Sequence, residues 1–281
     1  MSTTTTAHPL PLPGLRALVA ALLLPPSAQL RRHRTFYLRY DGAWAAACVG
    51  ALGVMSAVGH GPLLADWGPA VALLLPLACY AHILCSVFVH NAVHQGFPKP
   101  VNRLVGELCG AVILTRFASW EIVHQRHHRY SDDPARDPHP LHANYLTFLL
   151  RTIVNVEVTL QAIFLERHGD TPANRRYERV RAYVSYATNL LVVATWYRFC
   201  GPVAFFGLFV PASIVGFLHL VHFNWATHDA GSATGTFRPV NLNHGLYRIG
   251  NRLLFGIYMH GNHHARPGLF NPAHLPSSVR V

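Results

Sequence analysis

Four stretches of this chain, 43–65, 68–90, 183–197 and 201–223, contain no Asp, Glu, Lys or Arg. A helix that crosses a bilayer needs roughly 20 apolar residues, and the first, second and fourth stretches meet that length. The third is shorter and is closed by Arg198. Pro76 and Pro211 lie inside the second and fourth, a placement that membrane helices accept because neighbouring helices re-satisfy the freed carbonyls. The pattern predicts an all-α, multi-pass membrane protein with four transmembrane helices.

Composition agrees. The chain is 51% hydrophobic and only 12% charged, against about 25% charged in soluble domains. A disordered chain would show the opposite balance. Five cysteines with no CxxC pair exclude a disulfide scaffold. Cys48, Cys79, Cys85, Cys109 and Cys200 lie in or beside apolar stretches and read as small hydrophobes.

The net charge of +11 comes from 22 Arg and one Lys, and their distribution sets an orientation. Residues 1–42 hold five, the first short turn none, segment 91–182 twelve, the second short turn one, and the tail five. By the positive-inside rule both termini and the long middle segment are cytoplasmic. Segments 104–117 and 145–165 are apolar but interrupted by Glu107, Arg116, Arg151, Asn155 and Glu157; both read as helices that lie on the membrane or pack in a cytoplasmic cap. Leu15, Leu18, Val19, Leu22 and Leu23 form a one-faced stripe, which predicts an interfacial helix within the N-terminal segment 1–42 rather than a secretory signal.

Twenty histidines outnumber the twelve acids, and they cluster. His90 and His94 end the second stretch; His124, His127 and His128 form one HxxHH, and His260, His263 and His264 another. Chance would supply HxxHH about 0.1 times at this composition. Residues at i, i+3 and i+4 share a helical face, so each box presents its imidazoles together. Eight imidazoles exceed the four ligands of one tetrahedral zinc and suit two metal ions. Ligand type leaves zinc, copper, iron and nickel open. A carboxylate di-iron site needs two Glu-x-x-His motifs; the chain has one, Glu121-x-x-His124. All three boxes fall on the side that the arginines mark as cytoplasmic. His8, His33, His60, His82, His168 and His274 read as ordinary core or surface histidines.

Three such boxes, separated by two pairs of spans, resemble the integral-membrane fatty acid desaturase superfamily, which includes desaturases, hydroxylases and carotenoid ketolases. The resemblance covers about residues 40–270, so 43–270 reads as one desaturase-like domain followed by a tail, 271–281. Stearoyl-CoA desaturase-like members carry an Asn and a ninth His after the last span, and this chain has Asn224-Trp-Ala-Thr-His228 there. Asp137-Pro138-His139 also follows the second box as in those enzymes. The first box, HxxxH, is one residue shorter between its histidines than in the animal acyl-CoA enzymes.

The resemblance implies two irons held by His90, His94, His124, His127, His128, His228, His260, His263 and His264, with Asn224 reaching a metal through water. His222 competes with His228 for the ninth place, and His228 is favoured. His219, His142 and His244 have no assigned role. The implied activity is O2-dependent introduction of a double bond into a fatty acyl chain carried as acyl-CoA, acyl-carrier protein or acyl-lipid. A hydroxylase or ketolase on the same ligands is the alternative, and a membrane zinc hydrolase a more distant one.

Cleaving an unactivated C–H bond calls for a metal–oxygen oxidant. The chain has no nucleotide fingerprint, Cys cluster or haem motif, so electrons come from a separate protein such as ferredoxin or cytochrome b5. Arg126, Arg129, Arg175, Arg176, Arg179 and Arg181 either dock that donor or only orient the chain in the membrane. Trp120, Tyr145, Trp196 and Trp225 either line a lipid tunnel or anchor the interface.

Overall fold

A computed structural model describes residues 23–59, 65–142, 144–229 and 237–275. Of the expected stripe, Leu15, Leu18, Val19 and Leu22 lie outside them, as do His8 and His60, while Leu23 is described and exposed. The described chain is helical, with a single isolated bridge between Asn241 and Met259. In order it forms α1 (Pro26–Arg32), α2 (Phe36–Ala57), a 3-10 stretch (Ala65–Leu74), α3 (Leu75–Val93), α4 (Lys99–Val112) and α5 (Phe117–Tyr130). Then follow α6 (Tyr145–His168), α7 (Pro172–Ala204), a π turn (Phe205–Phe209), α8 (Val210–Thr227), α9 (Gly245–Leu253), α10 (His260–Ala265) and a last 3-10 turn (Pro272–His274).

Local chemistry explains the boundaries around the middle segment. Asn144 caps α6 by accepting from the Thr147 N–H at 3.0 Å, and Gly169 ends it with φ 89°. Thr171 caps α7 by accepting from Asn174 N–H, with Pro172 at the first helical position.

Three stretches are long and apolar enough to cross a membrane by length and composition: Gly68–Val93, Tyr145–His168 and Pro172–Thr227. The last has 56 residues, about 84 Å of helix against a core of about 30 Å. Gly201, at φ 74° and ψ 165°, divides it. The uncharged runs 183–197 and 201–223 lie on either side of that break. The run at 43–65 lies largely on α2, which starts earlier because Asp41 does not stop it. That carboxylate is fully buried and ion-paired with Arg116, and it accepts from Ser185 Oγ at 2.7 Å. Helix α6 differs from expectation: it is long and apolar enough to cross a membrane despite Arg151, Asn155 and Glu157.

Two packing clusters position the histidines. Val89, Ala92 and Val93 at the end of α3 close on Phe117 at the start of α5. Val87 and Phe223 join Leu254, Ile257 and Tyr258 just before the third box. A further cluster of Leu30, Phe36, Tyr37, Tyr40, Ala118, Ile122 and Leu160 supports α5 from its other side.

Candidate metal centre

The first and third boxes are each held by hydrogen bonds to the backbone around them. Behind His94, the chain turns with Gln95 at φ 59°. Asn102 pins that turn, donating to Ala92 O at 2.8 Å and accepting from Phe97 N–H at 3.1 Å. The third box is fixed through Asn262, fully buried, which exchanges two hydrogen bonds with Asn241 (2.8 and 3.0 Å) and donates to Pro272 O. Val240 N–H donates to Thr227 O at 2.8 Å and ties this strap to the end of α8.

The nine expected histidines meet in two groups. One ring nitrogen each from His90, His94, His124, His128 and His263 lie within 4.8 Å of one another, and so do those of His127, His228, His260 and His264. The boxes do not map one to one onto the groups. Successive residues on a helix differ by about 100°, so positions i+3 and i+4 straddle the direction of i. In the second box, i and i+4 (His124, His128) go to the five-membered group and i+3 (His127) to the other. In the third box the assignment is reversed: His263 joins the five, and His260 and His264 join the four.

Distances test whether these nitrogens suit an ion. In the first group Nε2 atoms stand 2.9 Å apart for His94 and His124, 3.1 Å for His124 and His128, and 3.0 Å for His128 and His263. The second group gives 3.0 Å for His228 and His260, 3.2 Å for His260 and His264, and 3.3 Å for His127 and His264. Nitrogens about 2.1 Å from a common ion would be about 3.0 Å apart at adjacent octahedral positions and about 3.4 Å apart in a tetrahedron. The first group therefore fits a centre with more than four ligands. Both nitrogens of His90, and Nδ1 of His124 and His260, are buried without a protein partner.

Electrostatics favours the ligating form. Burial, reinforced by the neighbouring rings, pushes His94, His124, His127, His260, His263 and His264 below the ordinary imidazole range, and His128 down to about 3. Neutral imidazole with a free lone pair is the form that binds a metal.

The remaining expectations separate cleanly. Asn224 is buried one turn before His228 on α8. His222 lies outside both groups and stacks on Tyr247, rings 13° from parallel. His219 contacts the Tyr258 hydroxyl at 2.9 Å. His82 is a core histidine between Ala78 O and Ser213 Oγ, and His142 Nδ1 accepts from Asn144 N–H. His244 precedes α9 and meets Tyr247 edge-on. Glu121 turns away from the rings and accepts from Ser27 N–H and Oγ at 2.9 and 3.1 Å. Trp120 stacks over His124 at 5.5 Å, and Tyr145 meets Trp225. Trp196 packs elsewhere, against Phe209.

The arginines form no single patch. Arg181 is buried between Glu178 and Glu157, and Arg175 is paired with Asp170. Arg126 and Arg129 instead join Arg31 and Arg167 around a cavity of about 420 Å³ on the face of α5 opposite its histidines.

Sequence reasoning assigned no role to the loop between α5 and α6. Asp137 faces His127 Nδ1 at 2.9 and 3.1 Å, and Asp132 faces His228 Nδ1 at 3.2 Å. His139 stacks on His127 at 3.8 Å. The available signal was Asp137-Pro138-His139 itself, but its spacing gives no helical register to say where the carboxylate points.

Among the described residues these features define an all-helical fold with three stretches long and apolar enough to cross a membrane and two adjoining groups of histidines that could each hold a metal ion. The model of the fatty acid desaturase family matches residues 65–272, and the chain belongs to that family. No curated protein and no solved structure matches it. Membership implies an oxidoreductase, a lipid substrate and association with a membrane.

Proposed function

We propose that this chain is an O2-dependent di-iron desaturase that introduces a double bond into a fatty acyl chain. The observation that carries the reading is the convergence of nine buried or half-buried imidazoles, from three boxes and His228, into two adjacent groups. His90, His94, His124, His128 and His263 hold one iron; His127, His228, His260 and His264 hold the other, and Asn224, buried one turn before His228, is its expected water-mediated contact. Iron with O2 supplies the oxidant that an unactivated C–H bond requires. The balance removes two hydrogens from adjacent carbons and, with O2, two electrons and two protons, yields the alkene and two waters. The protein's own task is to hold the ions, keep the imidazoles neutral and exclude water from the acyl chain.

The four uncharged runs favour four spans with a cytoplasmic cap in a single domain, 43–270, the first of them on α2, which is not among the three stretches long and apolar enough to cross. His127 and His228 rings lie 4.7 Å apart, so an even number of crossings separates them. The two halves of Pro172–Thr227 supply two; a crossing by α6 would make the count odd. Helix α6 therefore lies along the membrane, with its exposed Leu146, Leu150, Ile153, Val154 and Val158 towards lipid. The arginine distribution puts the cap and both termini in the cytoplasm. The electron donor is a separate protein such as ferredoxin or cytochrome b5; in the cavity Arg126 is paired with Glu166 at 2.7 Å, and Arg31, Arg129 and Arg167 are the positive charges left for an acidic partner.

Expression with a matching reductase, followed by mass spectrometry of cellular lipids and metal analysis of the purified chain, tests this. The expected product is lighter than its precursor by two hydrogens, with about two irons per chain. A product heavier by one oxygen would make the enzyme a hydroxylase, and a new carbonyl a ketolase. Stoichiometric zinc without oxygen consumption would end the oxidative reading.

A further inference from the structure

The two groups of histidines differ in what stands behind them. Among the described residues, His127 and His228 are the two histidines paired with a carboxylate, and both belong to the four-membered group. The His127–Asp137 pair is fully buried on both sides. Asp137 is itself fixed, accepting from the backbone N–H groups of His139 at 2.7 Å and Asp132 at 2.5 Å. Asp132 is held by Ser131 Oγ at 2.8 Å and sits at φ 61°, a backbone conformation that a non-glycine residue adopts only when its surroundings require it. The short loop 131–139 is thus folded around two carboxylates aimed at Nδ1 atoms, while Nε2 of the same rings faces the group's interior. The five-membered group has no such carboxylate. Nδ1 of His90 and His124 is buried without a partner, but so is Nδ1 of His260 in the four-membered group, so the carboxylates alone set the two groups apart.

Resting on the two-iron reading above, we propose that Asp137 and Asp132 are positioning residues that make the centres unequal. The centre of His127, His228, His260 and His264 binds its ion more firmly and with stronger donors than the five-histidine centre. A carboxylate behind a ligating imidazole fixes its tautomer and ring direction and raises its basicity, and losing such a partner costs about 10–100-fold in metal affinity. The five-histidine centre compensates by number, using one more neutral ring in place of charge. One ion is therefore the first to leave on chelation, and the loop after α5 decides which.

The test uses the full chain in detergent, loaded with 57Fe, as wild type, Asp137→Asn, Asp137→Ala and Asp132→Asn. Asp133→Asn is the control, because Asp133 pairs with the exposed Arg136 on the same loop. Graded chelation with metal counting and Mössbauer spectroscopy follow each ion separately. The wild type is expected to lose its ions in two steps, with the four-histidine component leaving last. Asp137→Ala should weaken that component 10–100-fold and leave the other in place, Asp137→Asn and Asp132→Asn should do so less, and Asp133→Asn should match wild type. Simultaneous loss of both components in the wild type, unchanged spectra in Asp137→Ala, or equal loss of both components in Asp137→Asn would overturn the proposal. Two zinc ions bound in two chelation steps would sink the iron reading while leaving the inequality standing, and a wild-type chain that binds no metal would sink both.

Discussion

His228 and His260 bring their Nε2 atoms to 3.0 Å across 32 residues of chain, while His222, on the same helix as the approach to His228, packs on Tyr247. Two histidines near the end of one apolar stretch thus have different fates. His228→Ala should lose one metal ion per chain. Its turnover should fall by at least the roughly hundredfold that even outer-shell partners can cost. His222→Ala should keep both ions and most of its activity. Metal counting on the two variants decides the matter, and equal losses in both would contradict the assignment.

The grouping of the boxes was legible because helical periodicity turns a spacing into a direction: His124, His127 and His128 had to share a face wherever α5 lay, whereas His228 came from the family resemblance alone. The division into five and four was not legible, since it depends on how α3, α5 and α10 are rotated against one another. Nor was the status of Arg181, which in sequence looks like one more cytoplasmic arginine near Arg175, Arg176 and Arg179. Its burial depends on Glu157 arriving from α6, 24 residues away. Asp41 was hidden for the same reason. A charge at the edge of an apolar run reads as the end of a helix until its partner, Arg116, is placed beside it.

Helix α4 meets α5 through glycine. A Cβ on Gly106 would come within 2.5 Å of the Phe117 ring, and one on Gly110 within 2.7 Å of Thr115 O. Phe117 is 1% exposed and starts the helix that carries the second box, so it has no room to retreat. Gly106→Ala should destabilise the protein by about 1–3 kcal/mol, the usual cost of overpacking, and lower iron retention with it. Thermal melts in detergent measure the first effect. A melt identical to wild type would show that the helix contact is looser than the distances indicate.

Arg181 and Arg129 separate a structural charge from a docking charge. Arg181 is fully buried and pairs with Glu178 at 2.9 Å and Glu157 at 2.7 Å. Its replacement by Ala strands two carboxylates, and breaking a buried pair costs about 3–5 kcal/mol; poor yield and a low melting temperature are expected. Arg129 lines the arginine cavity and is exposed. Arg129→Ala should change stability by less than about 0.5 kcal/mol while weakening, in a salt-dependent way, the delivery of electrons by an acidic donor. Turnover measured against donor concentration at two ionic strengths tests it, and an unaltered salt response would remove Arg129 from the docking surface.

Glu121 gives a pH signature that is independent of turnover. Burial is the main cause that raises its carboxyl from the ordinary 4.5 to about 7, opposed by the hydrogen bonds from Ser27. The folded state therefore holds this proton more tightly than the unfolded chain does. The resulting stability is fully present below about pH 4.5 and is lost as the pH rises through 7. Gln at this position cannot titrate, although its amide group meets the Ser27 donors less well than a carboxyl does. Glu121→Gln should melt below wild type at pH 5 and close part of that gap by pH 8, because only the wild type loses the contribution of the Glu121 proton across that interval. The difference between the two melting curves isolates Glu121 from the titration of the metal-facing histidines, which both proteins share. Parallel curves from pH 5 to 8 would mean that Ser27 holds Glu121 as a carboxylate throughout, with α1 fastened to α5 by a charged hydrogen bond.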